Sequence, residues 1–194
     1  AAVSAAMKEC LAKQEVAGVV TLVATRDKVL HLEAAGLADI AAQVPMRTNA
    51  IFWIASMTKP VTATAVMMLL EEGKLSLDDP VAKYLPELAN LKTAGGKPAK
   101  LTLRHLLTHT SGMPEATPEQ YKKARSLADV IPFYAPRPLK FEPGAKWQYC
   151  QSGINSLGRI VEIVSGQSFP AFLQQRLFEP LGMSDVVFWE KSAL

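Results

Sequence analysis

The sequence contains few of the side chains that cross-link small proteins or bind metals. Among its 194 residues only Cys10 and Cys150 are cysteines, and only three residues are histidines. Two cysteines cannot form a disulfide framework or, by themselves, a four-ligand zinc site. His105 and His109 stand four residues apart, but no HExxH motif surrounds them. The sequence therefore predicts no metal site and calls for no cofactor.

Charge and hydrophobicity exclude further classes of protein. The chain has 21 basic and 18 acidic residues, a formal net charge of +3, without a long block of lysine and arginine. No nucleic-acid partner is therefore predicted. The longest apolar run is far too short to cross a bilayer, so no membrane span is predicted. A hydrophobic content of 49% against 20% charged residues is typical of a chain that folds around a core.

Hydrophobic periodicity predicts a helix and a β-hairpin, followed by a mostly helical region. The first helix covers residues 2–15, and two strands follow at 19–24 and 29–35. Later helices are predicted at 56–72, 80–84, 102–107, 152–164 and 168–177, with two short ones within 117–135. The strand 19–24 is almost wholly apolar, which is typical of a strand with neighbours on both sides. After residue 60, however, only 186–189 has the pattern of a further strand.

The leading candidate for chemistry is the segment 56–59, which begins with Ser56 and ends with Lys59. A serine hydroxyl needs a base to become a nucleophile, and residues three apart on a helix lie on the same face. At a helix start, Ser56 would also stand at the positive end of the helix dipole. A chain of this composition contains about one Ser-x-x-Lys by chance, however. On spacing alone, the segment is interpreted as a helix-capping serine and a surface lysine.

The neighbouring residues favour the chemical interpretation. Residues 51–55 are apolar and are expected to bury the start of the helix, and residues 66–70 make that helix apolar on several sides. Lys59 would then be a lysine at a buried helix start, and a buried lysine usually has a functional role. Burial disfavours the charge of a lysine and so helps it to act as a base.

Several segments resemble, in the same order, the serine β-lactamase and penicillin-binding-protein superfamily. The segments are 52–59, which resembles the nucleophile motif, and 71–81, 101–112, 141–144, 147–149 and 180–183. The resemblance covers nearly the whole chain and is greatest to the class C β-lactamases and their relatives, the family VIII carboxylesterases. The block 101–112 does not carry the nucleophile, so His105 and His109 are expected to have structural, hydrogen-bonding roles.

The resemblance implies roles for individual residues. Ser56 is expected to be the acylated nucleophile and Lys59 its proton partner. Tyr149 matches the tyrosine of a second motif, Tyr-x-Asn, and is expected to move protons between Ser56 and the leaving group. That role needs a cation such as Lys59 to lower the pKa of the phenol. Without the resemblance, Tyr149 is interpreted as a packed aromatic beside Trp147.

Two departures from the family pattern bear on the expected activity. Gln151 stands where Tyr-x-Asn has asparagine. We expect its amide to bind substrate from a changed position, which favours ester cleavage over β-lactam turnover. The third family motif, Lys-Thr-Gly or His-x-Gly on a strand, does not occur in residues 1–194. That strand supplies one oxyanion donor, and losing one such donor costs about 10²–10³ in rate. We therefore expect a C-terminal companion segment or chain, or a neighbouring copy, to complete the sheet.

The resemblance implies an α+β fold of two lobes. Residues 1–60 are expected to belong to an antiparallel sheet lobe that is incomplete in this chain, and residues 61–194 to a mostly helical lobe. Because the family is often exported in bacteria, a periplasmic or secreted protein is favoured, although the sequence leaves the compartment open.

The expected function is that of a serine hydrolase which forms an acyl-enzyme, most like a carboxylesterase acting on a small-molecule ester. One alternative is a β-lactamase or a D-amino-acid peptidase, whose substrate would be a β-lactam or a D-amino-acid peptide. The other alternative is a catalytically idle binding or scaffold member of the superfamily.

Overall fold

Residues 2–188 are described by a computed structural model, in which the chain divides into two units between Trp53 and Ile54. The first unit holds a helix and a small antiparallel sheet, and the second is helical. The chain is therefore of the α+β class, as the sequence predicts. All four predicted site residues lie in the second unit: Ser56, Lys59, Tyr149 and Gln151.

The first unit begins with helix α1, Ala2–Ala12, and continues into a hairpin. Its strands are β1, Gly18–Ala24, β2, Val29–Asp39, and the two-residue β3, Val44–Pro45, joined antiparallel in the order β1-β2-β3. Two glycines face each other where β1 begins, Gly18 opposite Gly36. A Cβ on Gly36 would lie 2.4 Å from the carbonyl oxygen of Ala17, so this close approach requires glycine.

The hairpin carries more exposed apolar surface than the sequence predicts for it. The apolar strand 19–24 is expected to be buried, yet its side chains are half-buried or exposed in the described chain. Leu22 is 60% exposed, and Leu30 on β2 is 56% exposed. Within residues 2–188, β1 pairs only with β2 and its other edge has no strand. Exposed apolar side chains and an unpaired strand edge are usually covered by other polypeptide.

The second unit begins with a 3₁₀ turn, Ala55–Met57, that leads directly into helix α2, Thr58–Glu71. The shorter helices are α3, Leu103–Leu107, α4, Pro118–Lys123, and α5, Leu127–Val130. The long helix α6, Gln151–Ser165, is followed by α7, Phe169–Leu173. These positions agree with the helices predicted from periodicity. The predicted helix 80–84 is a single 3₁₀ turn, Val81–Lys83.

Helix α6 is the centre of this unit. Helices α2, α3, α5 and α7 all pack against it. Four residues of its predicted apolar stripe are buried, Ile154, Leu157, Ile160 and Val161, and the fifth, Val164, is partly buried. Gly166 ends the helix in the left-handed conformation, with φ of 71°, which glycine adopts without steric cost. Helices α2 and α6 contribute to the same buried core.

The structure differs from the sequence-based expectation in three further places. The segment 51–54, expected to bury the start of α2, is exposed. The predicted last helix, 168–177, is α7 followed by a π-helical turn, Gln174–Phe178. Of the possible strand at 186–189, residues 186–188 are not in a strand, and residue 189 lies outside the described residues.

Candidate active site

Ser56 lies in the 3₁₀ turn that precedes α2, and its side chain is exposed. The residue before it, Ala55, has a φ of 46°. This left-handed conformation costs a non-glycine residue about 1–3 kcal/mol, and such strain tends to accumulate at functional sites. The turn presents the hydroxyl of Ser56 at the amino end of α2, where the helix dipole favours negative charge.

Lys59 lies in the first turn of α2 and is buried, with 8% of its surface exposed. Its Nζ donates to the hydroxyl oxygen of Ser56 at 3.1 Å and to Oε1 of Gln151 at 2.6 Å. No carboxylate among residues 2–188 forms an ion pair with it. A lysine buried among neutral partners is well placed for proton transfer with Ser56.

Tyr149 stands in the extended segment just before α6 and is 49% exposed. The Nζ of Lys59 lies 4.7 Å from the centre of its ring. Hydrogen bonds with Lys59 and then with Ser56 lower the pKa of the Tyr149 phenol. The structure thus brings together the three residues for which the sequence predicts catalytic roles, and the phenol has the cationic neighbour that its predicted role requires.

His109 holds the segment that carries Tyr149. Its backbone has a φ of 58°, and its Nδ1 accepts a hydrogen bond from the backbone N–H of Cys150 at 3.2 Å. The backbone oxygen of His109 accepts from the N–H of Gln148 at 2.9 Å, and its ring lies 4.8 Å from that of Tyr149. His109 therefore fixes the backbone on both sides of Tyr149. His105 caps α3 through Thr102 instead.

Gln151 lies at the first position of α6, and both ends of its amide have partners within the chain. Oε1 accepts from Lys59, and Nε2 donates to Oδ1 of Asn155 at 2.9 Å. The sequence-based hypothesis is that this amide binds the substrate, whereas in the structure its oxygen is hydrogen-bonded to Lys59. The contact between Lys59 and Gln151 spans 92 positions, which no local pattern predicts.

Glu115 is a site residue that sequence reasoning missed. Its Oε1 accepts from the backbone N–H of Gln151 at 2.6 Å, and its Oε2 from that of Ser152 at 3.1 Å. The carboxylate thereby caps the amino end of α6, where the side chain of the N-cap residue, Cys150, makes no capping hydrogen bond. In the sequence, only the lack of a good N-cap residue at α6 indicated that another group was needed there. Glu115 itself stands 36 positions from Gln151, so no local pattern predicts it.

We expect His109 to make the stability of the fold depend on pH. Burial, and then the charge of Lys59, lower the pKa of His109. The folded state therefore resists a proton that the unfolded chain accepts near pH 6.5, so the free energy of unfolding falls as the pH drops through and below about 6.5. Asparagine tolerates a positive φ, so His109→Asn should keep the backbone and remove this titration.

Urea unfolding between about pH 7 and 5 checks this prediction. The stability of His109→Asn should decline less steeply than that of the unaltered protein. Burial also lowers the pKa of His105, so His105→Asn is the matched control that measures the contribution of this second, partly buried histidine. An equal decline in His109→Asn and the unaltered protein would contradict the prediction.

The described part of the chain offers no cluster of three or more histidine, cysteine or acidic side chains that could hold a metal ion. None of the helices within residues 2–188 is long and apolar enough to span a membrane.

Known proteins similar to this chain include esterases and penicillin-binding proteins. It is 36% identical to esterase EstB from Burkholderia gladioli over 203 residues, covering 97% of this chain and 51% of EstB. The structure of EstCE1, described as a hydrolase with promiscuous acyltransferase activity, superposes with a TM-score of 0.84 at 28% identity, covering 93% of this chain and 50% of EstCE1. An octameric penicillin-binding protein homologue from Pyrococcus abyssi gives a TM-score of 0.83 at 29% identity, covering 99% and 45% of the two chains.

The chain thus spans about half the length of the curated relatives that it matches. Residues 3–193 match the beta-lactamase family. This match covers nearly the whole chain, so the chain belongs to the beta-lactamase family.

Proposed function

We propose that this chain supplies the nucleophile and the proton-transfer groups of a serine hydrolase that cleaves carboxylic esters through an acyl-enzyme. The observation that carries the proposal is the contact of Lys59 with both Ser56 and the Tyr149 ring. An exposed serine hydroxyl, a buried lysine and a phenol of lowered pKa form a nucleophile with two adjacent proton acceptors.

In the proposed reaction, Oγ of Ser56 attacks the ester carbonyl carbon while its proton passes to Lys59 or Tyr149. The carbonyl oxygen becomes an oxyanion, to which the backbone N–H of Ser56 donates at the amino end of α2. Collapse of this intermediate expels the alkoxide, which takes the proton and leaves as an alcohol. Water then attacks the acyl-serine, and the same groups receive and return its proton, releasing the carboxylic acid.

Two observations favour an ester over an amide or a β-lactam. Both polar atoms of the Gln151 side chain have partners within the chain, so this amide is not free to hold the amide of a substrate. EstB, one of the similar proteins, is named an esterase. The second candidate function is acylation by β-lactams, which the likeness to the penicillin-binding protein homologue supports and which needs the same three side chains.

We also propose that further polypeptide covers the hairpin and completes the sheet. Support comes from the exposed leucines Leu22 and Leu30 and from the unpaired edge of β1 within residues 2–188. A second oxyanion donor would come from the same polypeptide, because the family's third motif is carried by a strand of that sheet. Experiments on activity therefore need the full-length protein.

The test is covalent labelling of the full-length protein with a fluorophosphonate, followed by proteolysis and mass spectrometry, together with hydrolysis of p-nitrophenyl butyrate. We expect the label on Ser56 and measurable ester turnover. Labelled penicillin separates the two candidates: a stable adduct on Ser56 without ester turnover would favour a penicillin-binding protein. If neither reagent reacts and no ester is cleaved, the idle alternative replaces the proposal.

Trp147 is expected to bind the acyl group of the ester. Its indole is 67% exposed and its ring centre lies 6.5 Å from that of Tyr149. Covering an exposed aromatic ring with an acyl chain is favourable, so Trp147→Ala should raise KM for a hexanoate ester about tenfold, equivalent to ~1.4 kcal/mol. The value of kcat should change little.

Steady-state kinetics with p-nitrophenyl acetate and hexanoate checks this prediction. The acetate ester is the internal control, because its short acyl group has little surface for Trp147 to cover. Equal increases in KM for the two esters would contradict acyl binding by this residue.

A further inference from the structure

A series of side-chain hydrogen bonds leads away from the proposed site into the helical unit. Nζ of Lys59 donates to Oε1 of Gln151 at 2.6 Å, and Nε2 of Gln151 donates to Oδ1 of Asn155 at 2.9 Å. Nδ2 of Asn155 then donates to the hydroxyl of Tyr134 at 3.0 Å. The proposed reaction uses the lysine and none of the groups beyond Gln151.

The series returns to the start of α6. The hydroxyls of Tyr134 and Tyr121 are 3.4 Å apart, and that of Tyr121 donates to Oε2 of Glu115 at 3.3 Å. Glu115 in turn accepts the backbone N–H of Gln151 through its other oxygen. The bonds therefore form a closed circuit that begins and ends on Gln151.

The first and last groups of the series, Lys59 and Glu115, fix the direction of every bond in it. Nζ of Lys59 donates to the amide oxygen of Gln151, and a carboxylate can only accept hydrogen bonds. With Lys59 at one end and Glu115 at the other, each amide must turn its oxygen toward the lysine and its nitrogen toward the glutamate. Each tyrosine hydroxyl accepts from the preceding group and donates to the following one. Bonds in such a series polarise and strengthen one another.

Burial keeps the middle of the circuit in place. Tyr134 is fully buried, and this burial raises the pKa of its phenol, which therefore remains a donor. Tyr121 shows the same effect, and burial raises the pKa of its phenol too. The side chain of Gln151 is itself exposed, so without these partners its amide would be free to rotate.

The orientation of the Gln151 amide matters for the lysine. If the amide turned over, its NH₂ group would face Nζ of Lys59 in place of the oxygen that accepts from it. Lys59 would then lose its 2.6 Å partner and keep only Ser56. The amine reaches Ser56 and the Tyr149 ring from the position in which this partner holds it.

We propose that Asn155 and Tyr134 are positioning residues which, through Gln151, hold the Lys59 amine in place for proton transfer. This inference rests on the proposed function. It also explains how a glutamine works at a position where the family pattern has the shorter asparagine: the longer side chain has a second support one helical turn further along α6.

The test is a double-mutant cycle in the full-length protein, with Asn155→Leu, Gln151→Ala and the double variant. The readout is acylation by a fluorophosphonate, resolved into the maximal rate kinact and the binding constant KI. We expect Asn155→Leu to lower kinact about 10-fold, within the cost of a misplacement of about 1 Å, with KI unchanged. Because Asn155 acts through Gln151, it should have no further effect in the Gln151→Ala background.

Two further variants separate positioning from general loosening of the fold. Tyr134→Phe keeps the buried ring and removes only the hydroxyl, so it reports on the circuit even if Asn155→Leu folds poorly; it should lower kinact and leave KI alone. Ser156→Ala is the matched control, because it removes a buried hydrogen bond of 2.9 Å to Ser152 on the same helix without touching the circuit. It should acylate like the unaltered protein.

The outcomes are distinct. Unchanged kinact in both Asn155→Leu and Tyr134→Phe, or a full additional effect of Asn155→Leu in the Gln151→Ala background, overturns this inference and leaves the proposed function standing. An equal loss in Ser156→Ala also overturns it, because the effect would then be one of packing. If the unaltered protein is not acylated at all, the proposed function and this inference both fail.

Discussion

Replacing Ser56 with alanine is expected to abolish fluorophosphonate labelling and to reduce ester turnover by about 10⁴-fold or more, since loss of a nucleophile has effects of this size in serine hydrolases. The substitution removes the only atom that forms the acyl bond. The hydroxyl is exposed and accepts a hydrogen bond from Lys59 at 3.1 Å. The fold should therefore be almost unaffected, with a change in unfolding free energy within about 0.5 kcal/mol.

Labelling of Ser56→Ala and of a control variant, measured side by side with the thermal midpoint of each, checks this prediction. The control is Ser184→Ala, which removes an exposed serine of the same unit whose hydroxyl donates to Asp185 at 3.5 Å. It should be labelled like the unaltered protein. Labelling that survives in Ser56→Ala would place the nucleophile elsewhere and remove the basis of the proposed mechanism.

The contact between Ser56 and Lys59 could be predicted from the sequence because it is local. Three positions apart at a helix start, Ser56 and Lys59 must share a face, and the structure places their side chains 3.1 Å apart. Tyr149 could be joined to them only through the family resemblance, since it stands far away in the sequence. Glu115 was predicted neither from local spacing nor from the family resemblance, because a carboxylate that caps a distant helix leaves no pattern in neighbouring residues.

The same distinction between local and distant relations holds for the fold. Helix α6 was predicted closely, since an apolar stripe such as Ile154, Leu157 and Ile160 reports directly which face meets the core. The segment 51–54 was predicted wrongly to be buried. An apolar run indicates that burial of its side chains would be favourable, but it does not show that other residues bury them. Among the described residues, Trp53 remains 95% exposed. Strand β1 was likewise predicted to be buried, and its side chains are half-buried or exposed.

Replacing Lys59 with methionine is expected to lower ester turnover about 10²–10⁴-fold, the usual contribution of a positioned proton-transfer group. Methionine matches the length of the lysine stem but cannot donate to Ser56 or accept its proton. Because the lysine is buried without an ion pair among residues 2–188, removing its charge should not destabilise the fold. Equal or higher thermal stability alongside the loss of turnover would separate chemistry from folding.

The residual activity of Lys59→Met should also have a shifted pH dependence. The hydrogen bond with Lys59 is the main cause of the lowered pKa of Tyr149, so without the lysine that pKa rises toward its ordinary value near 10. Since the phenolate is the form that accepts a proton, the acidic limb of the rate profile should move to higher pH. The shift must be absent in Tyr149→Phe, which loses the titrating group itself. If the acidic limb of Lys59→Met coincides with that of the unaltered protein, Lys59 does not control the pKa of Tyr149, and this prediction is wrong.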